Sequence, residues 1–115
     1  MRAALALLAD RAGGRRRVAI LGDMAELGEE GPRYHREVGA AAAELGVDAL
    51  VAVGPLAREY LEGAEGVALR RWAPTREAGL EAVREVVEPG DCVLVKGSRA
   101  MGLEAIADML AGVAA

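Results

Sequence analysis

Cysteine and histidine are almost absent from this 115-residue sequence, which has one of each and no phenylalanine. With Cys92 as the only cysteine, no disulfide can form within the chain, and a reducing cytoplasm is the compartment that fits. Because Cys92 lies in an apolar run, we expect it to be a buried, inert thiol. The single histidine, His35, has no partner at metal-ligand spacing, so we expect no metal site there.

Long apolar runs and an excess of positive charge are also missing. No segment reaches the roughly 18 apolar residues that cross a bilayer, and the apolar opening segment 1–9 lacks the basic leader and cleavage site of a signal peptide. The formal net charge of −4 argues against a nucleic-acid partner, since such partners favour basic domains. The one basic run, Arg15 to Arg17, directly precedes an apolar strand, and we expect it to be solvated there.

The sequence does contain four short apolar runs that alternate with stretches of helical periodicity. Its length is that of one domain with its own core, so we take 1–115 as a single domain. Buried parallel strands appear as continuous apolar runs, and repeated strand–helix units favour a parallel sheet with helices on both faces. The predicted strands are 18–21, 49–53, 67–72 and 92–95.

The helices between these strands are predicted from their apolar stripes and their end signals. One helix opens the chain, a second begins at Pro32, a third follows Gly54-Pro55, a fourth is capped by Thr75, and a fifth follows the last strand. The side chains predicted to face the sheet include Leu56, Tyr60 and Leu61 of the third helix and Leu103, Ile106, Ala107 and Leu110 of the fifth.

The order of the strands decides which loops meet. The first, second and third strands follow one another outward in one direction, and the fourth strand returns to the other side of the first. This gives the order 3-2-1-4 of half a doubly wound fold. The crevice of such a sheet opens between the carboxyl ends of the first and fourth strands. Loop 22–28 would then face loop 96–101.

The turn after the fourth strand carries Lys96, Ser98 and Arg99. Two cations and a hydroxyl between a strand and a helix favour binding of a carboxylate or a phosphate. The alternative is purely structural, with Ser98 as a helix cap and both cations solvated.

The facing loop carries Asp23 and Glu26. Asp23 either orients a substrate ammonium or a nucleotide ribose across the crevice, or it caps its own loop. Glu26 and His35 are expected to stabilise this loop and its helix rather than to act in chemistry.

Three familiar phosphate-handling motifs are not encoded. The order Lys96, Gly97, Ser98 is not that of a P-loop, and no Gly-x-Gly-x-x-Gly follows the first strand, so dinucleotide binding has little support. A phosphorylation receiver would need further carboxylates after the second and third strands, where this sequence has Gly54 and Arg70.

Several segments together resemble the C-terminal domain of the Mur ligases. A Gly-Asp-Met-x-Glu-Leu-Gly element at 22–28 precedes a Lys-Gly-Ser-Arg element at 96–99, and the pair is more specific than either element alone. The segments that carry the resemblance are 18–28, 34–39, 53–54 and 93–101. The resemblance implies a Rossmann-like three-layer sandwich that belongs to a three-domain, ATP-dependent ligase of cytoplasmic peptidoglycan precursor synthesis.

The same resemblance implies the substrates and the partners. They would be D-Ala-D-Ala and UDP-N-acetylmuramoyl-tripeptide, with ATP and Mg²⁺ bound mostly outside this chain by the N-terminal and central domains. Lys96, Ser98 and Arg99 would contribute to the site of the dipeptide or of the acyl phosphate.

One departure from the family pattern concerns the start of the chain. The family's Asn-Pro segment is missing, and no capping residue precedes the first helix. Both features suggest a fragment that folds but does not ligate by itself. Two other interpretations stay open, a stand-alone module that binds a small anion and an interaction domain whose helices dock on a partner.

Overall fold

The computed structural model describes residues 1–25, 27–98 and 102–107, in which helices and strands alternate. None of the described helices is long and apolar enough to cross a membrane. Residues 104–107 form a helical turn after the last strand, and Leu110 lies outside the described residues. The other elements are α1 (Arg2–Ala12), β1 (Arg17–Gly22), a 3-10 turn (Gly28–Glu30), α2 (Gly31–Glu44), β2 (Ala49–Val53), α3 (Arg58–Gly63), β3 (Leu69–Ala73), α4 (Arg76–Val86) and β4 (Cys92–Lys96).

The four strands form one parallel sheet in the order β3-β2-β1-β4, which confirms the predicted order. At the centre of the sheet, Ile20 of β1 lies between Val51 of β2 and Val95 of β4. Helices α1, α2 and α3 pack on one face, and α4 packs on the other with the helical turn 104–107. The fold is therefore the predicted Rossmann-like three-layer sandwich.

Strands β1 and β2 are the buried centre of the molecule. Residues 18–21 and 49–53 have no solvent exposure, which explains why both strands are apolar without alternation. Neighbouring side chains of β1 point to opposite cores, with Leu21 toward α1, α2 and α3 and Ile20 toward α4.

The two outer strands are less buried. Strand β3 exposes Arg70, Arg71 and Trp72, in agreement with its predicted place near an edge. Strand β4 is the other edge, and its Cys92 is half-buried rather than fully buried as we expected.

The main difference from the predicted elements is the start of α3. Residues 54–57 form a turn, and the helix begins only at Arg58. Leu56 is therefore 40% exposed and does not face the sheet, whereas Tyr60 does and is fully buried. The prediction for α4 is confirmed, since the Thr75 hydroxyl accepts the Ala78 N–H at 3.2 Å.

Helices α2 and α3 approach each other through two glycines. A Cβ added to Gly39 would lie 1.9 Å from the Tyr60 carbonyl oxygen, and one added to Gly63 would lie 1.9 Å from the Arg36 carbonyl oxygen. Each glycine thus lies directly against the backbone of the other helix. This contact sets how closely α3, which carries Tyr60, can approach α2, which carries His35.

The basic run before β1 is bonded to the protein, so the expectation of a merely solvated run is wrong. The Arg16 guanidinium pairs with Asp91 at 3.1 Å, and the Asp91 side chain is only 5% exposed. Arg17 donates to the Leu45 carbonyl at 2.7 Å, and Arg15 donates to carbonyls in the last turn of α1. These contacts fasten the amino end of the sheet, opposite the end where the candidate site lies.

We predict that Gly39→Ala destabilises the domain by about 1–3 kcal/mol, because the new methyl group must force α2 and α3 apart. The free energy of unfolding in urea, followed by circular dichroism, measures the effect. Gly31→Ala is the control in the same helix, since its Cβ would make an ordinary 3.8 Å contact with Leu27. Equal stability of Gly39→Ala and Gly31→Ala would contradict the close approach of the two helices.

Candidate functional site

The loops after β1 and β4 meet at the carboxyl edge of the sheet. The Ser98 N–H donates to the Asp23 carbonyl at 3.0 Å, so the acidic loop and the cationic loop are in direct contact. A Cβ on Gly97 would lie 2.9 Å from the Gly22 Cα, and the absence of a side chain at Gly97 permits this approach. The structure thus brings Asp23 and Ser98 together, as the predicted strand order required.

The Asp23 carboxylate holds the turn that follows β2. Its Oδ1 accepts the Ala57 N–H at 2.6 Å, and its Oδ2 accepts the Leu56 N–H at 3.1 Å. Asp23 therefore caps the turn before α3 rather than its own loop. Each carboxylate oxygen still has a lone pair that no described donor uses.

His35 holds the loop after β1 from inside the core. The residue has no solvent exposure. Its Nε2 accepts the Met24 N–H at 3.1 Å, so Nδ1 carries the proton and donates to the Gly31 carbonyl at 2.5 Å. This geometry agrees with the expected supporting role of His35 and places it in the core rather than on the surface.

Tyr60 is a further residue of this arrangement, and sequence reasoning treated it only as part of an apolar stripe. Its hydroxyl donates to the Gly22 carbonyl at 2.8 Å, and its ring centroid lies 4.6 Å from that of His35. Burial raises the pKa of the Tyr60 hydroxyl above its ordinary value, so the group stays a neutral donor. The one sequence signal was a hydroxyl on the buried side of a helix.

The loop after β4 borders a pocket of about 300 Å³. Lys96 is exposed at its rim, and Ser98 is half-buried. Arg99 and Glu26 lie outside the described residues. The residues that line the pocket are Val95, Lys96, Gly97, Ser98, Leu103, Glu104 and Ala107.

The pocket combines an ammonium group, a hydroxyl and a carboxylate with an apolar wall. Such a set can bind a small charged ligand, because charged groups supply direction and apolar walls supply contact area. Among the described residues, no group of three or more histidine, cysteine or acidic side chains could hold a metal ion.

A four-stranded parallel sheet in this order, with helices on both faces, defines a Rossmann-like domain. Residues 1–99 match the family model described as "Mur ligase, glutamate ligase domain", and the chain belongs to this family. The predicted resemblance to the C-terminal domain of the Mur ligases is confirmed.

Curated relatives agree with the family model. The chain is 38% identical to a UDP-N-acetylmuramoyl-tripeptide–D-alanyl-D-alanine ligase of Synechocystis over 96% of its length. It is 41% identical to the enzyme of the same name from Mycobacterium leprae over 85% of its length, and 34% identical to that from Bacillus subtilis over 92%. The chain spans only 24%, 20% and 24% of these three relatives, respectively.

We predict that Asp23→Asn destabilises the domain by about 1–2 kcal/mol, because an amide has one acceptor oxygen for the two N–H groups that the carboxylate now binds. Urea unfolding measures the difference. Asp10→Asn, on the exposed side of α1, is the matched control and is expected to leave stability unchanged. Equal stability of the two variants would show that the cap is not made.

We predict that Tyr60→Phe changes how stability depends on pH. The raised pKa of Tyr60 means that the folded state keeps a proton that the unfolded chain releases near pH 10. Stability of the wild type therefore falls as pH rises above about 10, by up to about 1.4 kcal/mol per pH unit from this group.

The measurement is the free energy of unfolding of both proteins at pH values on either side of about 10. Tyr60→Phe should be less stable than wild type near neutral pH, since the Gly22 carbonyl loses its donor, and should lose less stability in alkali. Tyr34→Phe, which removes the other tyrosine hydroxyl of the chain, is the control. Parallel pH curves for wild type and Tyr60→Phe would contradict a buried hydroxyl.

Proposed function

We propose that this chain is the domain of a D-Ala-D-Ala-adding ligase that binds the incoming dipeptide at the end of β4. The observation that carries the proposal is the pocket beside Lys96 and Ser98, at the edge of the sheet where the loops after β1 and β4 meet. The relatives are named UDP-N-acetylmuramoyl-tripeptide–D-alanyl-D-alanine ligases, and this name supplies the two substrates of the proposal.

The dipeptide brings one carboxylate that must lose water when it binds. The Lys96 ammonium and the Ser98 hydroxyl supply a charge and a hydrogen bond for it. Arg99, which lies outside the described residues, is proposed as a second cation of the same site. Holding the carboxylate in this way fixes one end of the dipeptide at the β4 loop.

The proposed reaction joins this amine to the terminal carboxyl group of the tripeptide. In the mechanism that the family implies, ATP phosphorylates that carboxyl group and ADP is released. The amine, in its neutral form, then attacks the acyl carbon, the bond to phosphate breaks, and phosphate leaves with the amine's proton. Water competes with the amine for such an intermediate, so orientation of the dipeptide and exclusion of water are the contributions expected of this domain.

ATP and Mg²⁺ are proposed to bind mostly outside these 115 residues. The described residues contain no cluster of three metal-ligating side chains, and the order Lys96, Gly97, Ser98 is not that of a phosphate-binding P-loop. The partners are therefore the N-terminal and central domains of the same enzyme, and the isolated chain is expected to bind without ligating. A cytoplasmic location is consistent with the single free cysteine.

We assign Asp23 and His35 to the support of the site. Asp23 fixes the turn before α3, and His35 fixes the backbone at Met24, so both shape the loop that contacts Ser98. Contact of Asp23 with a substrate ammonium or a ribose would use its remaining lone pairs. Glu26 is proposed as a further support of the same loop.

A stand-alone module for small anions is the main alternative. Such a module would bind sulfate or acetate as tightly as it binds the dipeptide, because it would recognise only the negative charge. An interaction domain would instead bind neither, and Lys96 would be dispensable for it.

We expect D-Ala-D-Ala to shift the amide signals of Gly97 and Ser98 in a nuclear magnetic resonance titration of the chain. Lys96→Met should weaken this binding about three- to tenfold, the range expected when one charge-assisted contact of a carboxylate is lost. Lys96 is the only lysine of the sequence, so the control is Arg84→Met, which removes an exposed cation from the far end of α4.

Three results would contradict the proposal. Equal responses to sulfate, acetate and the dipeptide would favour the anion module. No response of wild type to the dipeptide would exclude dipeptide binding by this domain, and equal affinities of Lys96→Met and Arg84→Met would remove Lys96 from the site.

A further inference from the structure

The pocket beside Lys96 contains a second charged side chain of opposite sign. Glu104 lines the same pocket, and both side chains are exposed to solvent. Neither of them forms an ion pair with any residue of the described part of the chain. The pocket thus has a positive and a negative group that do not neutralise each other.

Core packing fixes the position of Glu104. It begins the helical turn 104–107, which is anchored by Leu103, 6% exposed, and by Ile106, which is fully buried. The Leu103 methyl group also packs beside Gly97, 2.9 Å from where a Cβ would stand. The turn that carries Glu104 is therefore held against the end of β4, which carries Lys96.

Part of the pocket wall is apolar. Val95, Leu103 and Ala107 form it, and the volume is about 300 Å³. A dipeptide spans at most about 7 Å from end to end, so both of its charged ends can be held within one such pocket. Two opposite charges and an apolar wall in one pocket of this volume are complementary to a small zwitterionic peptide with apolar side chains.

We infer that Glu104 binds the ammonium end of a zwitterionic dipeptide whose carboxylate is bound by Lys96 and Ser98. This inference rests on the proposed function and adds to it the group that recognises the amine. A carboxylate in the pocket repels simple anions, so Glu104 also makes the site selective for a ligand that carries both charges. It holds the ligand in one direction, with the amine toward the turn 104–107.

The test compares three ligands on four proteins by the same amide titration. The ligands are D-Ala-D-Ala, its N-acetyl derivative without the ammonium, and its C-terminal amide without the carboxylate. The proteins are wild type, Glu104→Gln and Lys96→Met, with Glu81→Gln as the matched control, an exposed glutamate on α4. Ratios of affinities within one protein cancel effects of the substitutions on folding.

Wild type and Glu81→Gln should prefer the free dipeptide over its N-acetyl derivative about fivefold, the value of one solvent-exposed ion pair. Glu104→Gln should lose this preference and keep the preference over the C-terminal amide. Lys96→Met should show the reverse pattern. These opposite losses of preference in the two variants are expected only if Glu104 and Lys96 each bind one end of the ligand.

The outcomes separate the two proposals. If Glu104→Gln still prefers the free dipeptide over the N-acetyl derivative, the role of Glu104 is overturned. If at the same time Lys96→Met alone loses the preference for the free dipeptide over the C-terminal amide, the proposed function still stands. Failure of wild type to bind any of the three ligands overturns both.

Discussion

The backbone at Gly22 and Asp23, where β1 ends, is the point on which the carboxyl edge of the sheet depends. The Gly22 carbonyl accepts the Tyr60 hydroxyl, and the Asp23 N–H donates to the Val53 carbonyl. The Asp23 carbonyl accepts the Ser98 N–H, while its carboxylate caps the turn after β2. These bonds join β1 to β2, α3 and the loop after β4, so a change at this point disturbs three neighbouring elements at once.

These bonds place a well-bonded stretch of backbone beside a pocket whose charged groups form no ion pair within the described residues. Near the end of β1, the Met24 N–H is bonded to His35 and the Gly22 carbonyl to Tyr60, both inside the protein. Lys96 and Glu104 instead face solvent. If a ligand bridges these two side chains, little backbone must become ordered on binding, so the entropic cost of binding is lower. In the proposed function, this arrangement would orient a substrate for chemistry carried out with other parts of the enzyme.

The sheet order and the position of the cationic turn could be predicted because each depends on local patterns, such as continuous apolar runs and the residue that follows them. The contacts of Arg16, Asp23 and Tyr60 could not. Their partners are 33 to 75 residues away in the sequence and become neighbours only when the strands pair. Leu56 was predicted on a helix because Gly54-Pro55 resembles a helix start, whereas the cap from Asp23 holds a turn there. No sequence pattern pointed to Glu104, because its proposed role depends on its lying in the same pocket as Lys96.

The most direct measurement is a crystal structure of this chain with D-Ala-D-Ala bound. The account predicts the dipeptide in the pocket between β4 and the turn 104–107, with its carboxylate about 3 Å from the Lys96 Nζ and the Ser98 Oγ and its ammonium beside Glu104. A dipeptide bound in the reverse direction would contradict the assignment of the two ends. A dipeptide bound elsewhere, for example along the exposed edge at Trp72, would contradict the central claim that the end of β4 is the substrate site.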